Sequence, residues 1–291
     1  MTISASEVMK LRASTGAGMM DSKNALEEAG GDMDKAAEIL RKKGVIKAAK
    51  RADRIAADGM IVVAVNADNT VGAVVEVNSE TDFVAKSGDF IDFTKHVATA
   101  AVESAPADLA ALLAVKLPSG MTVEETQQHV TLKTGEKVAA RRFARFAGQA
   151  GKVYSYLHGT KIGVLVELAG GDAETGTDVA MHIAASNPKY LKREDVPAAL
   201  VETEKAIYAD QLAKAGKPAN IIENILKGKL DKFYGEICAP EQVYIKNEEL
   251  TVQKYLDSKK ASLVRFARFE LGEGIEKVTK DFAAEVAEQL K

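Results

Sequence analysis

Apolar positions recur at helical spacing over the first 45 residues, and then the period changes. Ser4 and Glu7 stand at capping-box spacing. Val8, Leu11 and Arg12 continue one helical face, which is expected to end near Thr15-Gly16. A second helix, Asp21 to Ala29, stops at Gly30-Gly31. A third begins after Asp32, turns Ala36, Ala37, Ile39 and Leu40 inward, and is expected to stop at Gly44. Such a module lies close to the lower size limit for a lone hydrophobic core.

Period two takes over at Met60 to Val65 and Val71 to Val77, β-branched runs around Asn66-Ala67-Asp68-Asn69-Thr70, which together predict a hairpin. A helix follows with Phe90, Phe93, Val97 and Ala101 on one face. Val153 to Leu157 and Ile162 to Leu168 form a second hairpin around His158-Gly159-Thr160, followed by a helix carrying Val179, Ile183 and Ala184. The two units look like a repeat. Val71-Gly72-Ala73-Val74-Val75-Glu76-Val77 aligns with Ile162-Gly163-Val164-Leu165-Val166-Glu167-Leu168, and His96-Val97-Ala98 aligns with His182-Ile183-Ala184. In each unit the helix can cover one sheet face, which predicts an α+β core.

Two further helical stretches, Asp195 to Ala215 and Pro218 to Tyr234, are joined by Gly216-Lys217-Pro218. Leu200, Ile207 and Leu212 mark one stripe; Ile222, Leu226, Leu230 and Phe233 mark the other. The pair reads as an inserted antiparallel helical hairpin, either a docking or dimerisation arm or a pair packed on the sheet. Ser262 to Leu271 reads as a strand, and a C-terminal helix is expected from about Ile275 to Leu290. The expected organisation is a helical domain at 1–45, a linker at 46–58, a core N-subdomain at 59–150, a core C-subdomain at 151–271 with the insertion at about 195–235, and a C-terminal module at 272–291.

Composition narrows the chemistry. Of 291 residues, 46% are hydrophobic and 28% charged, an ordinary globular balance. The single cysteine, Cys238, allows no internal disulfide or cysteine-rich zinc site, and it fits a reducing compartment. No phosphate loop is found: Thr134-Gly135-Glu136-Lys137 lacks the first glycine and the closing Ser/Thr. Gly16-Ala17-Gly18 and Gly272-Glu273-Gly274 lack the third glycine of a dinucleotide fingerprint. No carboxylate pair is singled out, and acidic side chains read as solvated surface. No signal-peptide core or membrane-length apolar run is seen, so a cytoplasmic location is expected. These readings predict a protein that is not an enzyme, with no cofactor or metal.

Lys47, Lys50, Arg51 and Arg54 suggest a basic arm, but a net charge of -3 weighs toward a solvated linker. Arg141-Arg142-Phe143-Ala144-Arg145-Phe146 and its echo Arg265-Phe266-Ala267-Arg268-Phe269 could clamp single-stranded nucleic acid. The same order in a strand alternates faces, and two sheet strands with snorkelling arginines are the preferred reading.

Four ordered segments carry a resemblance. They are Leu11-Arg12-Ala13-Ser14-Thr15-Gly16-Ala17-Gly18-Met19-Met20-Asp21, Glu76-Val77-Asn78-Ser79-Glu80-Thr81-Asp82-Phe83-Val84-Ala85, His158-Gly159-Thr160-Lys161-Ile162-Gly163-Val164 and Gly272-Glu273-Gly274-Ile275-Glu276-Lys277. Over essentially the whole chain the sequence resembles the elongation factor Ts family of bacterial translation. The resemblance implies guanine-nucleotide exchange on elongation factor Tu: binding of its GDP form, displacement of magnesium, and GDP release until GTP rebinds. It also implies a ubiquitin-associated-like N-terminal domain and the two-part core. It assigns Thr81, Asp82, Phe83 and Val84 to magnesium dislocation in the partner, and Arg12, Met19, Met20, His158 and Gly159 to partner binding. By residue type alone, Phe83 would read as core, seven residues before Phe90, and one of the two methionines as packing. Direct nucleotide binding, a membrane and specific nucleic acid are not expected; a homodimer or a dimer of heterodimers stays open. Outside this resemblance, a scaffold or chaperone-like binding protein and an RNA-binding protein are the alternatives.

Overall fold

The computed structural model describes residues 3–214 and 219–276. The expected link Gly216-Lys217-Pro218 lies outside the described residues, as does almost all of the expected C-terminal helix. The chain is a mixture of helices and small sheets, of α+β class. In chain order the elements are α1 (Ala5–Thr15), α2 (Met19–Glu28), α3 (Met33–Lys50), β1 (Asp58–Val65), β2 (Val71–Ser79), α4 (Asp82–Ala85), α5 (Gly88–Ser104), α6 (Leu109–Leu113), α7 (Val123–Thr134), β3 (Val138–Ala147), β4 (Lys152–His158), β5 (Ile162–Gly170), α8 (Ala173–Ser186), α9 (Ala198–Lys214), α10 (Ala219–Ile237), β6 (Val243–Tyr244), β7 (Asn247–Thr251), α11 (Val252–Ser258) and β8 (Ala261–Glu270). Strands order as β1-β2-β3, β4-β5-β8 and β6-β7. The chain divides into two compact units, Met1–Val62 with Val75–Phe143 and Glu270–Lys291, and Val63–Val74 with Ala144–Phe269.

In the first unit, α1 opens on the Ser4–Glu7 capping box and closes on Gly16 in the left-handed region. Val8, Leu11, Ala25, Leu26, Ala36 and Leu40 form the small core of the three helices, and Leu132 of α7 packs against it. Two boundaries differ from expectation. The second helix starts at Met19, two residues early, so both methionines lie in its first turn. The third helix runs through Gly44 to Lys50. Gly44 therefore does not end the helix, and a Cβ there would make only ordinary contact with Leu132 Cδ2 at 3.4 Å. Residues 46–50 of the expected linker are therefore helical. Farther along, α5 buries Phe90, Phe93, Val97 and Ala101 on one face, each phenylalanine worth about 2–3 kcal/mol of burial.

In the second unit, β4 and β5 pair antiparallel from Lys152↔Leu168 to His158↔Ile162. Val164, Val166 and Leu168 meet Val179, Ala180 and Ile183 of α8, with Tyr244, Val252 and Leu256 completing the core. The first insertion helix begins at Ala198, not Asp195, because Pro197 holds Val196 extended. Of its stripe, Leu212 is buried while Leu200 and Ile207 stay exposed.

Two carboxylates expected at the surface are fully buried. Glu76 of β2 accepts from Arg141 Nη1 at 3.0 and 3.1 Å, Arg142 Nε at 2.5 Å and Gly272 N at 2.9 Å. Glu167 of β5 accepts from Arg265 Nε at 2.6 Å and from Gln149 N and Ala150 N at 2.9 Å. Glu76 and Glu167 align in the repeat, as do Arg142 and Arg265 in the two Arg-Phe segments. The snorkelling reading is thereby corrected: these arginines turn inward to carboxylates. The aligned histidines diverge, His96 being exposed while His182 is buried against Gln242.

Glu76→Gln removes the counter-charge of two arginines and is expected to destabilise the fold by about 3 kcal/mol, read as a lower urea midpoint. Burial pushes the Glu76 and Glu167 carboxyls up. The Gly272 N–H and Arg142 at Glu76, and the Ala150 N–H and Arg265 at Glu167, more than offset this, so both sit below their ordinary value. The unfolded chain then takes protons first on acidification. The stabilisation is complete above the unfolded pKa of about 4.3 and is lost as pH falls through the lower folded values. Urea midpoints should drop below about pH 5, and less steeply in the Glu76→Gln/Glu167→Gln double variant.

Candidate functional site

The segment after β2 is fixed before it reaches solvent. Ser79 Oγ donates to Thr81 O at 2.8 Å, and Thr81 caps the single turn of α4. Thr81 N and Oγ1 both donate to the Glu136 carboxylate, at 3.0 and 2.7 Å. Val84 and Ala85 are buried beneath the turn, and Ser87 Oγ closes it on Val84 O at 2.7 Å. On the outer face, Phe83 is 81% exposed. Reading it as core is therefore wrong: α4 ends before Gly88, so Phe83 and Phe90 do not share one continuous helix. Asp82 is exposed and pairs with Lys86 at 2.5 Å, which holds its carboxyl below the usual value.

On the N-terminal module of the same unit, Arg12 stands exposed in the last turn of α1. Met19 and Met20 are exposed to 47% and 63%, so neither is core packing. Gly16 sets the turn between them, with φ of 67° and its N–H on Arg12 O at 2.8 Å. A Cβ at Gly16 would meet Lys133 Cδ at 3.1 Å and His129 Nε2 at 3.2 Å on α7.

In the second unit, the turn between β4 and β5 presents Leu157, His158 and Gly159 to solvent. Gly159 takes φ of 59°, a left-handed conformation that glycine adopts without steric cost, and Tyr156 Oη lies 3.2 Å from His158 Nδ1. Thr81–Val84 and the Arg12–Met20 region thus belong to one compact unit, and His158-Gly159 to the other.

Reactive candidates are spent on structure. Cys238 is buried, and burial pushes its thiol up to about 11, so it is protonated at neutral pH. Asp178 accepts from Tyr244 and Tyr255 hydroxyls at 3.1 and 2.9 Å and from Lys246 at 2.5 Å, pinning α11 and the β6–β7 ribbon to α8. No cluster of three or more metal-ligating side chains exists among the described residues. No helix among them is long and apolar enough to cross a membrane. Arg141, Arg142 and Arg265 are tied to the Glu76 and Glu167 carboxylates. Glu76, Glu167 and Glu136 escaped the sequence reading. The repeat alignment carried a signal for the first two, while Glu136 lies 55 residues from Thr81 with no local mark.

Phe83, Met19 and Met20 are thus large apolar side chains that the fold leaves in solvent. Residues 80–273 match the family described as elongation factor TS. The chain is 49% identical to elongation factor Ts of Methylococcus capsulatus over 291 residues, covering 100% of this chain and 99% of the relative. It is 49% identical to that of Thioalkalivibrio sulfidiphilus over 292 residues, with 100% and 99% covered. Elongation factor Ts of Clostridioides difficile is 48% identical over 301 residues, with 99% of each covered. The chain belongs to the elongation factor Ts family.

Gly16→Ala puts a Cβ into the left-handed region and against α7, and is expected to cost about 1–2 kcal/mol within the N-terminal module. Hydrogen exchange should quicken at the Leu11 and Leu26 amides and stay unchanged at Val164 and Ile183.

Proposed function

We propose that this chain promotes guanine-nucleotide exchange on elongation factor Tu in translation elongation by driving Phe83 into the partner as an apolar wedge. Exchange on elongation factor Tu is the role of the family to which the chain belongs. The carrying observation is that Phe83 is 81% exposed on a helical turn whose other face is buried and hydrogen-bonded. A large apolar side chain held out on a fixed support binds without first losing much freedom. Asp82 brings a carboxylate beside it, close to the groups through which the partner holds magnesium. Thr81 and Val84 fix the turn. With the metal displaced, the phosphates of GDP lose their counter-charge, and GDP leaves.

No covalent step is needed. A factor that binds the nucleotide-free partner more tightly than the loaded one weakens nucleotide binding by the same ratio. GTP then rebinds and releases the factor. Arg12 with Met19 and Met20 supplies an adaptable grip on the partner, on a module we read as ubiquitin-associated-like. His158-Gly159 contacts the same partner from a turn free to fit closely. The two hairpin-plus-helix units are read as copies of one ancestral unit, α9 and α10 as an inserted arm, and the cytoplasm as the place of action.

Phe83→Ala is expected to leave the melting temperature unchanged and to slow stimulated release of fluorescent GDP from elongation factor Tu by about 10–100-fold, the equivalent of losing about 1.5–3 kcal/mol of wedge burial. Wild-type acceleration by the purified variant overturns the wedge.

A further inference from the structure

We propose that Glu136 is a positioning residue for the wedge: its carboxylate sets the angle and rigidity at which Phe83 meets the partner. This rests on the wedge reading above. Glu136 follows α7 in the Thr134-Gly135-Glu136-Lys137 turn, whose glycine takes φ of 78°. Its two oxygens separate the two donors of Thr81, Oε2 taking the backbone N–H at 3.0 Å and Oε1 the hydroxyl at 2.7 Å. Thr81 is the residue that caps α4, so the same group that starts the wedge helix is held by a carboxylate 55 residues away.

The arrangement is reciprocal. Glu80 Oε1 accepts the Lys137 backbone N–H at 2.6 Å while Glu136 accepts that of Thr81. Two adjacent pairs, Glu80-Thr81 and Glu136-Lys137, thus exchange side chain-to-backbone bonds across the gap. Lys137 Nζ and Arg54 extend the brace, Lys137 Nζ to Arg54 O at 2.9 Å and Arg54 Nη1 to Glu80 at 3.3 Å. A four-residue helix is far too short to hold itself. Without the brace the turn keeps its Ser79 and Ser87 bonds and its buried Val84 and Ala85 but loses the anchor at its first residue, so Asp82 and Phe83 would sample a wider range of directions.

The geometry separates binding from release. The bonds of Glu136 run to Thr81 and not to the grip of Met19 and Met20, so the half-saturating concentration should stay within about twofold of wild type. The maximal rate depends on the wedge arriving in one pose. Charge-assisted hydrogen bonds of this kind set the expected loss for Glu136→Ala at about tenfold in the maximal GDP-release rate. Glu136→Gln can still accept the Thr81 N–H with its carbonyl and donate its amide to the Thr81 hydroxyl, but without the charge, so it should fall between Ala and wild type.

The test uses the full chain with elongation factor Tu loaded with fluorescent GDP, varying factor concentration for wild type, Glu136→Ala, Glu136→Gln and Phe83→Ala. The chain has no tryptophan, so Phe83→Trp supplies a single indole whose anisotropy decay reads wedge wobble with and without Glu136→Ala. Support is a graded fall in maximal rate together with added fast depolarisation of that indole. A Glu136→Ala variant with wild-type maximal rate overturns the proposal, as does a slower one whose indole decay is unchanged. If Phe83→Ala also exchanges at full rate, the wedge reading itself falls; if only the Glu136 variants do, the positioning role alone falls. Should Glu136→Ala fail to fold, Glu136→Gln carries the same two readouts.

Discussion

Burying a carboxylate in a small sheet is the constraint around which each unit is organised. An ionised carboxylate cannot be left alone in an apolar interior, and the cost of taking it from water is recovered only by excellent geometry. Glu76 therefore draws two arginines from β3 and a backbone N–H from Gly272, and Glu167 draws Arg265 from β8 and two N–H groups from the loop after β3. Each requirement fixes a third strand beside its hairpin and fixes where the chain turns after a strand. An apolar residue at either position would pack without specifying register or loop path.

That investment in rigidity explains how the chain holds apolar groups in water. An exposed phenylalanine is easily folded back into a core if its backbone is free. Here Thr81 is tied at both its donors, Val84 and Ala85 are sunk, and Ser87 closes the turn. The exposed methionines follow the same logic, since Gly16 seats their turn against His129 and Lys133.

Most elements were legible in the sequence because periodicity reports which face is buried. Phe90, Phe93 and Val97 spaced a helix, and alternation around Asn66 and His158 marked two hairpins. The errors share a cause. A residue type has several physical uses, and only tertiary contact selects one. Gly44 read as a stop because glycine ends helices, yet α3 runs through it to Lys50, with Leu132 of α7 packed on the module. Arginines alternating with phenylalanines read as surface because the buried partner lay on another strand. Residue type alone would have put Phe83 in the core, and it was the family resemblance that pointed it outward, as its exposure has it. Glu136 left no trace at all, since a bond across 55 residues has no period.

The position of α7 has a consequence for how contact with a partner unfolds in time. Its side chains His129 and Lys133 support the turn before the methionines, and the turn after its last residue holds Thr81. The two segments proposed above as grip and wedge are therefore both braced by one short helix. On the reading proposed above, once the methionines land, the wedge no longer searches by diffusion. It acts at a high effective concentration set by a stiff tether. Any softening of α7 would dilute that local concentration without altering a single contact in the final complex.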